Sequence, residues 1–308
     1  MVVTHGSLQR ARGRCALTIG NFDGVHRGHR ALIERVTAKA GELAVDSCVL
    51  TFEPHPREFF SGDAATERLT RLRDKLELIE AAGVDRVHIA RFDRRFAALS
   101  AQRFIDEVLV GGLAIQWLLV GRDFRFGAGR QGDYAALAAA AAGRGFSVQA
   151  MPDVLFEGER VSSSAVRALL RAGDLAAAER LLGHPYTISG RVAHGAKLGR
   201  SLGFPTANIV LRRPPPLSGI FVVEVTGLGA GAKAGVASIG KRPTVNPVPV
   251  PLLEVHLFDW DGELYGSHLT VRVMKKLRDE RKYDDLPALK DAIARDAREA
   301  RRYFANHG

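Results

Sequence analysis

The chain has 308 residues, of which 46% are hydrophobic and 25% charged, so its composition is neither disordered nor fibrous. Its first residues lack the apolar segment of a signal peptide, and no apolar run approaches the roughly 18 residues that span a bilayer. Of its two cysteines, Cys15 directly precedes a predicted strand and Cys48 begins one, and a buried reduced thiol is the ordinary interpretation at such positions. We therefore expect a cytoplasmic protein with no membrane partner, and the length favours two domains.

The net charge of +10 is spread unevenly along the chain. Residues 1–183 carry 25 Lys and Arg against 22 Asp and Glu, a difference of +3, and residues 184–308 carry 19 against 12, a difference of +7. A basic chain is compatible with nucleic acid, a membrane surface or phosphorylated small ligands. Because the basic runs are short, such as Lys275-Lys276 and Arg301-Arg302, the sequence predicts no nucleic-acid partner.

The first half alternates short apolar segments with longer segments of helical character. The predicted strands are Ala16–Gly20, Cys48–Phe52, Arg86–Phe92, Gln116–Gly121 and Phe146–Met151. The predicted helices are Arg30–Ala44, Leu72–Ala82, Ala101–Leu109 with Ser100 as its N-cap, and Tyr134–Ala142. This alternation predicts a parallel sheet with helices on both faces, in which ligands bind at the carboxyl ends of the strands.

The pattern changes near Gly183-His184-Pro185, which divides the chain into predicted domains 1–183 and 184–308. Strand-like segments then follow one another without helical crossovers, which predicts an antiparallel sheet or small barrel. These segments are Tyr186–Val192, Gly219–Val225, Gly235–Ser238, Leu252–Phe258 and Leu269–Val273. An amphipathic helix is predicted at the end, over Leu286–Phe304.

The loop after the first predicted strand contains His26-Arg27-Gly28-His29, immediately ahead of a predicted helix. The free N–H groups and positive dipole of a helix N-terminus suit ATP phosphates, and Gly28 leaves room for their approach. Each imidazole could donate to oxygens of the phosphorus under attack. Two surface histidines in a glycine turn are the alternative, because short motifs also occur by chance.

Other candidate residues follow later strands of the first half. His55, between two prolines, is either a ligand-side residue or a structural turn residue. Phe124 and Phe126 could flank an aromatic ligand or form one core face of a strand. The hydroxyls of Ser162-Ser163-Ser164 could cap a helix or hold a phosphate, and Arg167 is then a phosphate ligand or a solvated side chain.

The second half contains a glycine-rich, basic run over 190–208, which could fold its amides around phosphates although it lacks P-loop spacing. At its end, the Thr206 hydroxyl and the Asn208 amide carbonyl are oxygen ligands suited to Mg²⁺. An ordinary loop that ends in a strand is the alternative. Downstream, Glu254 shares one strand face with His256, as a proton acceptor or as part of an exposed polar face.

Two runs carry a family resemblance. Gly20-Asn21-Phe22-Asp23-Gly24-Val25-His26-Arg27-Gly28-His29 and Gly199-Arg200-Ser201-Leu202-Gly203-Phe204-Pro205-Thr206-Ala207-Asn208 resemble the motifs of bacterial bifunctional riboflavin kinase/FAD synthetase. The resemblance implies a Rossmann-like nucleotidyltransferase domain that converts FMN to FAD, followed by a six-stranded β-barrel kinase that converts riboflavin to FMN. It implies Mg²⁺ as cofactor, ATP, riboflavin, FMN and FAD as substrates or products, and a monomer or weak homo-oligomer.

The resemblance also implies roles for individual residues. It assigns catalysis to His26, His29 and Glu254, and flavin binding to Asp123, Phe124 and Phe126. Thr206 and Asn208 would hold Mg²⁺. ATP and phosphate binding falls to Gly20, Asn21, Phe22, Asp23, Gly28, His55, Ser163, Ser164, Arg167, Gly195, Lys197, Gly199, Arg200 and Gly203.

Some positions depart from the family pattern. Ser164 stands where the family has Thr and keeps the hydroxyl, whereas Phe221 stands where the family often has Tyr and loses at most one hydroxyl contact. Prolines at 247, 249 and 251 replace a looser loop and could stiffen the flavin side of the kinase. The competing interpretations are another His-x-Gly-His nucleotidyltransferase, an aminoacyl-tRNA synthetase, and a flavin- or RNA-binding protein with inactive sites. The last of these would have lost motif residues that are all present here.

Overall fold

The computed structural model describes residues 1–6, 13–61, 67–194, 203–229, 231–242 and 250–307. The chain forms two compact units, Met1–Thr66 with Leu72–Ser163, and Glu67–Arg71 with Ser164–Gly308. Each unit has its own sheet and its own buried side chains, as expected for a chain of this length.

The first unit is built on a six-stranded sheet in which every neighbouring pair is parallel. Its strands are β1 (Val2–His5), β2 (Cys15–Ile19), β3 (Asp46–Glu53), β4 (Arg86–Arg91), β5 (Ile115–Gly121) and β6 (Ser147–Met151). Their order is β1-β4-β3-β2-β5-β6, and a short hairpin of β7 (Leu155–Phe156) and β8 (Glu159–Arg160) follows. The predicted parallel sheet is confirmed.

Helices cover both faces of this sheet. They are α1 (Arg27–Leu43), α2 (Pro56–Ser61), α3 (Leu72–Ala81), α4 (Arg94–Ala97), α5 (Ala101–Arg103) and α6 (Tyr134–Arg144), with a π-helix at Phe104–Gly112 and a 3₁₀ turn at Ala128–Arg130. Side chains alternate along β2, so Leu17 packs with Leu109 and Leu137, whereas Ala16 packs with Val36 of α1 on the other face. The predicted N-cap is confirmed, because the Ser100 side chain accepts a hydrogen bond from the Arg103 N–H.

The second unit contains a closed antiparallel barrel with strand order β10-β13-β12-β11-β14-β9. Its elements are α7 (Ser163–Ala172), α8 (Leu175–Leu182), β9 (Thr187–Ala193), β10 (Ala207–Val210), β11 (Gly219–Thr226), β12 (Lys233–Arg242), β13 (Val250–Leu257), β14 (His268–Arg278) and α9 (Leu286–His307). Closure removes exposed sheet edges. On the outside of the barrel, Val222 and Val236 pack against Ala297 and Ala300 of α9. The expected six-stranded barrel with a terminal helix is confirmed.

The strand order locates a ligand-binding edge in the first unit. The chain runs from β2 through β3 to β4 on one side, whereas β5 and β6 extend the sheet on the other. The loops that leave β2 and β5 therefore diverge, and such a switch point opens a crevice at the carboxyl ends of the strands. The segment 20–26, which contains the first histidine of the motif, lies in this position.

Candidate active sites

The loop between β2 and α1 holds an unusual backbone. Phe22 and Val25 have φ angles of 49° and 37°, in the left-handed region that residues with side chains seldom adopt. Both side chains are buried, and a Cβ built on Gly20 would lie 3.1 Å from the Phe22 ring. The packing of Phe22 therefore fixes the strained loop and requires a small residue at position 20.

His26 begins the helix that follows this loop. It is the N-cap of α1, and its Nδ1 accepts a hydrogen bond of 3.2 Å from the His29 N–H. An Nδ1 that accepts cannot carry a proton, so the hydrogen-bonding pattern assigns the proton of the neutral ring to Nε2. The N-cap thus sets His26 as an Nε2–H donor.

His29 lies against His26 one turn into the helix. The two rings stack with centroids 3.6 Å apart and an interplanar angle of 14°, and Phe22 packs on His29 at 4.9 Å. Burial, with smaller contributions from His26 and Lys75, holds the pKa of His29 well below its usual range. Among the described residues its Nδ1 has no hydrogen-bond partner. The motif thus presents a pair of stacked imidazoles, of which His29 is neutral at physiological pH.

Gly28 has a steric role within the motif. A Cβ at this position would lie 3.2 Å from Cε1 and Nδ1 of His26 and 3.5 Å from the Val161 carbonyl oxygen. The position that a side chain would take at Gly28 therefore lies against the His26 ring, and phosphate binding beside Gly28 stays a prediction. A side chain here would push His26 out of its capping position.

Polar groups of α3 and β3 form a chain of contacts that ends at the loop between β2 and α1. The Thr51 hydroxyl at the end of β3 donates to the Asn21 carbonyl oxygen at 3.2 Å, and Lys75 Nζ lies 3.5 Å from the same hydroxyl. The Asn21 side-chain oxygen is buried and has no partner in the described part of the chain. These contacts fix the loop and leave an amide oxygen for a ligand.

The other predicted residues of the first site have identified contacts. His55 is buried, and its Nδ1 accepts a hydrogen bond of 3.0 Å from the Arg57 N–H. It therefore has a structural role in the turn at the start of α2, and ligand binding by His55 stays a prediction. The Asp123 carboxylate is exposed and accepts from Arg160 at 2.8 Å. The rings of Phe124 and Phe126 stack with centroids 5.7 Å apart; Phe126 is buried in the core cluster of the unit, and the partly buried Phe124 packs against it. Their contact with flavin stays a prediction.

The boundary between the two units falls within Ser162-Ser163-Ser164, directly after Ser163. The Ser163 hydroxyl donates to the carbonyl oxygen of buried Asp23 at 2.9 Å, which joins the segment to the motif loop. Ser164 and Arg167 belong to the second unit. The alternative of a solvated Arg167 is wrong, because this side chain is buried and its Nε donates to the Glu67 carbonyl oxygen at 3.1 Å. Phosphate binding by Ser164 and Arg167 stays a prediction.

In the barrel, the described part of the second motif is the turn into β10. Asn208 is 6% exposed, and its Nδ2 donates to the Thr206 carbonyl oxygen at 3.2 Å. Its Oδ1 is buried and has no partner among the described residues. A buried amide oxygen without a donor is costly unless a ligand satisfies it, and oxygen is the ligand atom that Mg²⁺ prefers. The donor set therefore fits a magnesium ion.

Glu254 lies directly beside Asn208. The two residues are paired across β10 and β13, so their side chains project side by side from one face of the barrel wall. Ser238 is paired with Glu254 on the other side, and its hydroxyl donates to Glu280 at 3.1 Å. On the same face, His256 contacts the Pro205 carbonyl oxygen at 2.9 Å. A half-buried carboxylate therefore stands next to the proposed metal ligand.

Some predicted residues fall beyond what the structure describes. Gly195, Lys197, Gly199 and Arg200 lie outside the described residues. Gly203 is described and has a φ of +88°, a backbone conformation that favours glycine over any other residue.

Two further residues were not predicted. Lys75 is buried on α3, and the sequence signal was available: position 75 lies on the helix face of Leu72 and Ile79, where an apolar residue is expected. Glu280 contacts Ser238 from beyond β14, and no local pattern marks it because the contact joins residues 42 positions apart. Among the described residues, no group of three or more His, Cys, Asp or Glu side chains could hold a metal ion.

Comparisons with known proteins identify the family of each half of the chain. A family model described as FAD synthetase matches residues 8–165, and one described as riboflavin kinase matches residues 182–304. A bifunctional riboflavin kinase/FMN adenylyltransferase of Escherichia coli (strain K12) is 50% identical over 97% of this chain and 96% of its own. One of Pseudomonas fluorescens is 49% identical over 93% of this chain and 92% of its own.

A solved structure shares the fold over nearly the whole chain. The crystal structure of a chain from Streptococcus pneumoniae, titled a macrolide-efflux protein, matches with a TM-score of 0.80 and 25% identity, covering 96% of this chain and 97% of that one. In the part of this chain that the structure describes, no helix is both long and apolar enough to cross a membrane. The two family models and the curated relatives show that the chain belongs to the family of bifunctional riboflavin kinase/FMN adenylyltransferases, with an FAD synthetase domain followed by a riboflavin kinase domain.

Proposed function

We propose that His26 and His29 are the catalytic groups of FMN adenylylation and that Glu254 is the catalytic base of riboflavin phosphorylation. The observation that carries the first assignment is the capped, stacked histidine pair at the N-terminus of α1. The two reactions are those of the family, and the geometry of each site supports the roles proposed below. On this division the boundary between the two functions lies at 183/184, beside the first residues of the riboflavin kinase match.

In the first reaction, an oxygen of the FMN phosphate attacks the α-phosphorus of ATP, and the bond to the β-phosphate oxygen breaks. Pyrophosphate leaves and FAD is formed, so no covalent enzyme intermediate is needed. Negative charge accumulates on the α-phosphate oxygens, where the Nε2–H of His26 and the imidazole of His29 act as preorganised donors. The N-terminal amides of α1 attract the same charge.

Three further predictions concern nucleotide, flavin and phosphate binding. Gly20, Asn21, Phe22, Asp23 and Gly28 would shape the nucleotide side. The Asn21 side-chain oxygen has no partner among the described residues and would accept a hydrogen bond from the nucleotide. Asp123 is the polar contact on the flavin side. Ser163, Ser164 and Arg167 would bind phosphate, with Arg167 held by its bond to the Glu67 carbonyl oxygen.

In the second reaction, the riboflavin 5′-hydroxyl attacks the γ-phosphorus of ATP and ADP leaves. Glu254 accepts the hydroxyl proton as the new P–O bond forms. Thr206 and Asn208 would hold Mg²⁺, which supplies charge neutralisation to the ATP phosphates when bound. Because Asn208 is the cross-strand neighbour of Glu254, nucleotide-side and base-side groups converge on one face of the barrel.

Single substitutions test the two assignments in the full chain. His29→Ala should stop the conversion of FMN to FAD while riboflavin still becomes FMN. Glu254→Ala should stop FMN formation while supplied FMN still becomes FAD. Chromatographic separation of the three flavins measures both steps in each variant, so each activity is the folding control for the other. Loss of both activities in either folded variant, or loss of neither, would contradict the assignments.

A further inference from the structure

Glu280 is a carboxylate beside the kinase site that neither reaction scheme uses. It follows the last residue of β14 by two positions, and its Oε1 accepts a hydrogen bond of 3.1 Å from the Ser238 hydroxyl on β12. Its side chain also lies over Gly240, since a Cβ built on that glycine would overlap the carboxylate. Two positions of β12 therefore hold Glu280 against the barrel wall, and the rest of the residue is exposed to solvent, where a ligand can reach it.

The backbone that leads to Glu280 is anchored by an ion pair. Arg278, the last residue of β14, donates from Nε and Nη2 to the two carboxylate oxygens of Asp296 at 2.9 and 2.6 Å. Asp296 is buried on α9, and a bidentate pair of this kind fixes both position and orientation. The end of β14 is therefore held by α9, while the Glu280 side chain is held by β12.

The contact with Ser238 places Glu280 in one row with the proposed kinase groups. Asn208 is paired with Glu254 across β10 and β13, and Glu254 is paired with Ser238 across β13 and β12. Paired residues project from the same face of a sheet, and neighbouring strands lie about 4.8 Å apart. The order along the row is therefore Asn208, Glu254, Ser238 and then Glu280.

This order gives the bound substrates a direction. Phosphoryl transfer needs the attacking and leaving oxygens roughly in line with the phosphorus. With the nucleotide and its metal on the side of Asn208 and the attacking 5′-hydroxyl at Glu254, the rest of riboflavin extends toward Ser238 and Glu280. The ribityl chain is the part of riboflavin next to that hydroxyl, and its remaining hydroxyls are donors that a carboxylate accepts more strongly than a neutral group does.

We propose that Glu280 binds the ribityl hydroxyls of riboflavin and makes the kinase selective for a polyhydroxylated side chain. Ser238 holds Oε1, and Oε2 has no hydrogen-bond partner among the described residues, so a substrate hydroxyl can donate to it. Glu280 is thus a specificity-determining residue, whereas Glu254 takes the proton of the reacting hydroxyl. The inference rests on the proposed function of Glu254 and Asn208.

The test compares riboflavin with an analogue whose hydroxypentyl chain keeps the terminal hydroxyl and lacks the others. Wild-type protein should phosphorylate riboflavin with a higher kcat/KM than the analogue. Glu280→Ala should lower kcat/KM for riboflavin about tenfold, the lower end for a lost hydrogen bond to a charged group, and leave the value for the analogue unchanged. Glu280→Gln keeps an acceptor oxygen and should lose less. A purely structural role would instead lower both values equally, so turnover of the analogue is also the folding control for the barrel.

A second variant moves the carboxylate without removing it. In Gly240→Ala the added methyl displaces the end of a flexible side chain, so the barrel should fold and the loss should again be confined to riboflavin. Glu299→Ala is the matched control, because Glu299 is an exposed glutamate of the same unit that pairs with Lys275. It should phosphorylate both substrates at the wild-type rate. FAD formation from FMN should be unchanged in every variant.

Three results would overturn the inference. One, which needs no variant, is a wild-type kinase that uses the analogue as well as it uses riboflavin. Another is an equal loss on both substrates, or no loss on either, in folded Glu280→Ala. The third is a higher Mg²⁺ requirement in Glu280→Ala, which would make Glu280 part of the metal site. Failure of the proposed function would differ from all three, since Glu254→Ala would then still phosphorylate riboflavin.

Discussion

The substitution Gly28→Ala tests whether the capping position of His26 matters for catalysis. The added methyl would lie 3.2 Å from Cε1 and Nδ1 of His26, closer than ordinary contact, so the ring must move by a few tenths of an ångström. The bond from the His29 N–H to His26 is already 3.2 Å long, and the movement weakens it.

The expected loss follows from that displacement. A misplacement of 1 Å costs about 100-fold in rate, so a shift of a few tenths of that distance corresponds to roughly four- to tenfold on a logarithmic scale. Stability should change little. A weakened N-cap costs up to about 1 kcal/mol, which alanine largely offsets because it is a better helix former than glycine.

The assay is the initial rate of FAD formation from FMN and ATP, with riboflavin phosphorylation measured on the same preparation. Gly41→Ala is the matched control: it makes the same chemical change in α1, and a Cβ there has nothing within 4 Å. The control should transfer adenylyl groups at the wild-type rate and unfold at a slightly higher temperature. A wild-type rate in Gly28→Ala, or an equal loss in Gly41→Ala, would refute the reasoning.

Two further predictions concern the metal and the stability of the fold. Asn208→Leu removes the amide oxygen that has no partner among the described residues and keeps a similar side-chain volume. A Mg²⁺ titration should then show that riboflavin kinase activity needs more magnesium, while FAD formation from FMN is unaffected. An unchanged magnesium requirement would contradict the magnesium assignment. Burial is the largest cause that lowers the folded-state pKa values of His29 and His88, so the unfolded chain binds more protons below pH about 6.5. The free energy of unfolding of the first unit, measured in urea, should therefore fall from pH 7.5 to 5.5, and a flat or rising profile would contradict this.

Much of the fold follows from local sequence patterns. Strands β2 to β6 and the longer helices between them were predicted, because apolar segments alternate with helical segments there, whereas the short helices α2 and α4 were not predicted. The Ser100 N-cap was predicted from one residue type at the right place. These features are local, and local chemistry specifies them.

The elements that the sequence did not predict depend on contacts or backbone changes that local patterns do not encode. The short strand β10 was not predicted, because Ala207–Val210 gains its strand conformation from pairing with β9 and β13. The N-terminal strand β1 likewise depends on β4, a partner more than 80 residues away. The helix predicted over Ala101–Leu109 becomes a π-helix after Arg103, a change that its apolar spacing does not encode.

At the candidate sites too, contiguous motifs were predicted from sequence, whereas roles that depend on the folded structure were not. The histidine motif is contiguous and was predicted as a unit, but the start of α1 was predicted at Arg30, three residues after its true first residue. That error concealed the role of His26 as the N-cap. Glu280 joins its site only through a tertiary contact, so sequence alone did not identify it. Lys75 was missed although its place on the apolar face of α3 was a usable signal.

The most direct test of two separate sites in one chain is to mix the His29→Ala and Glu254→Ala proteins with riboflavin and Mg-ATP. Neither variant alone should make FAD from riboflavin, because each lacks one of the two reactions. The mixture should make FAD, since FMN released by the intact kinase of one variant reaches the intact adenylyltransferase of the other. FAD formation by either variant alone, or no FAD from a mixture in which each variant keeps its single activity, would contradict the account.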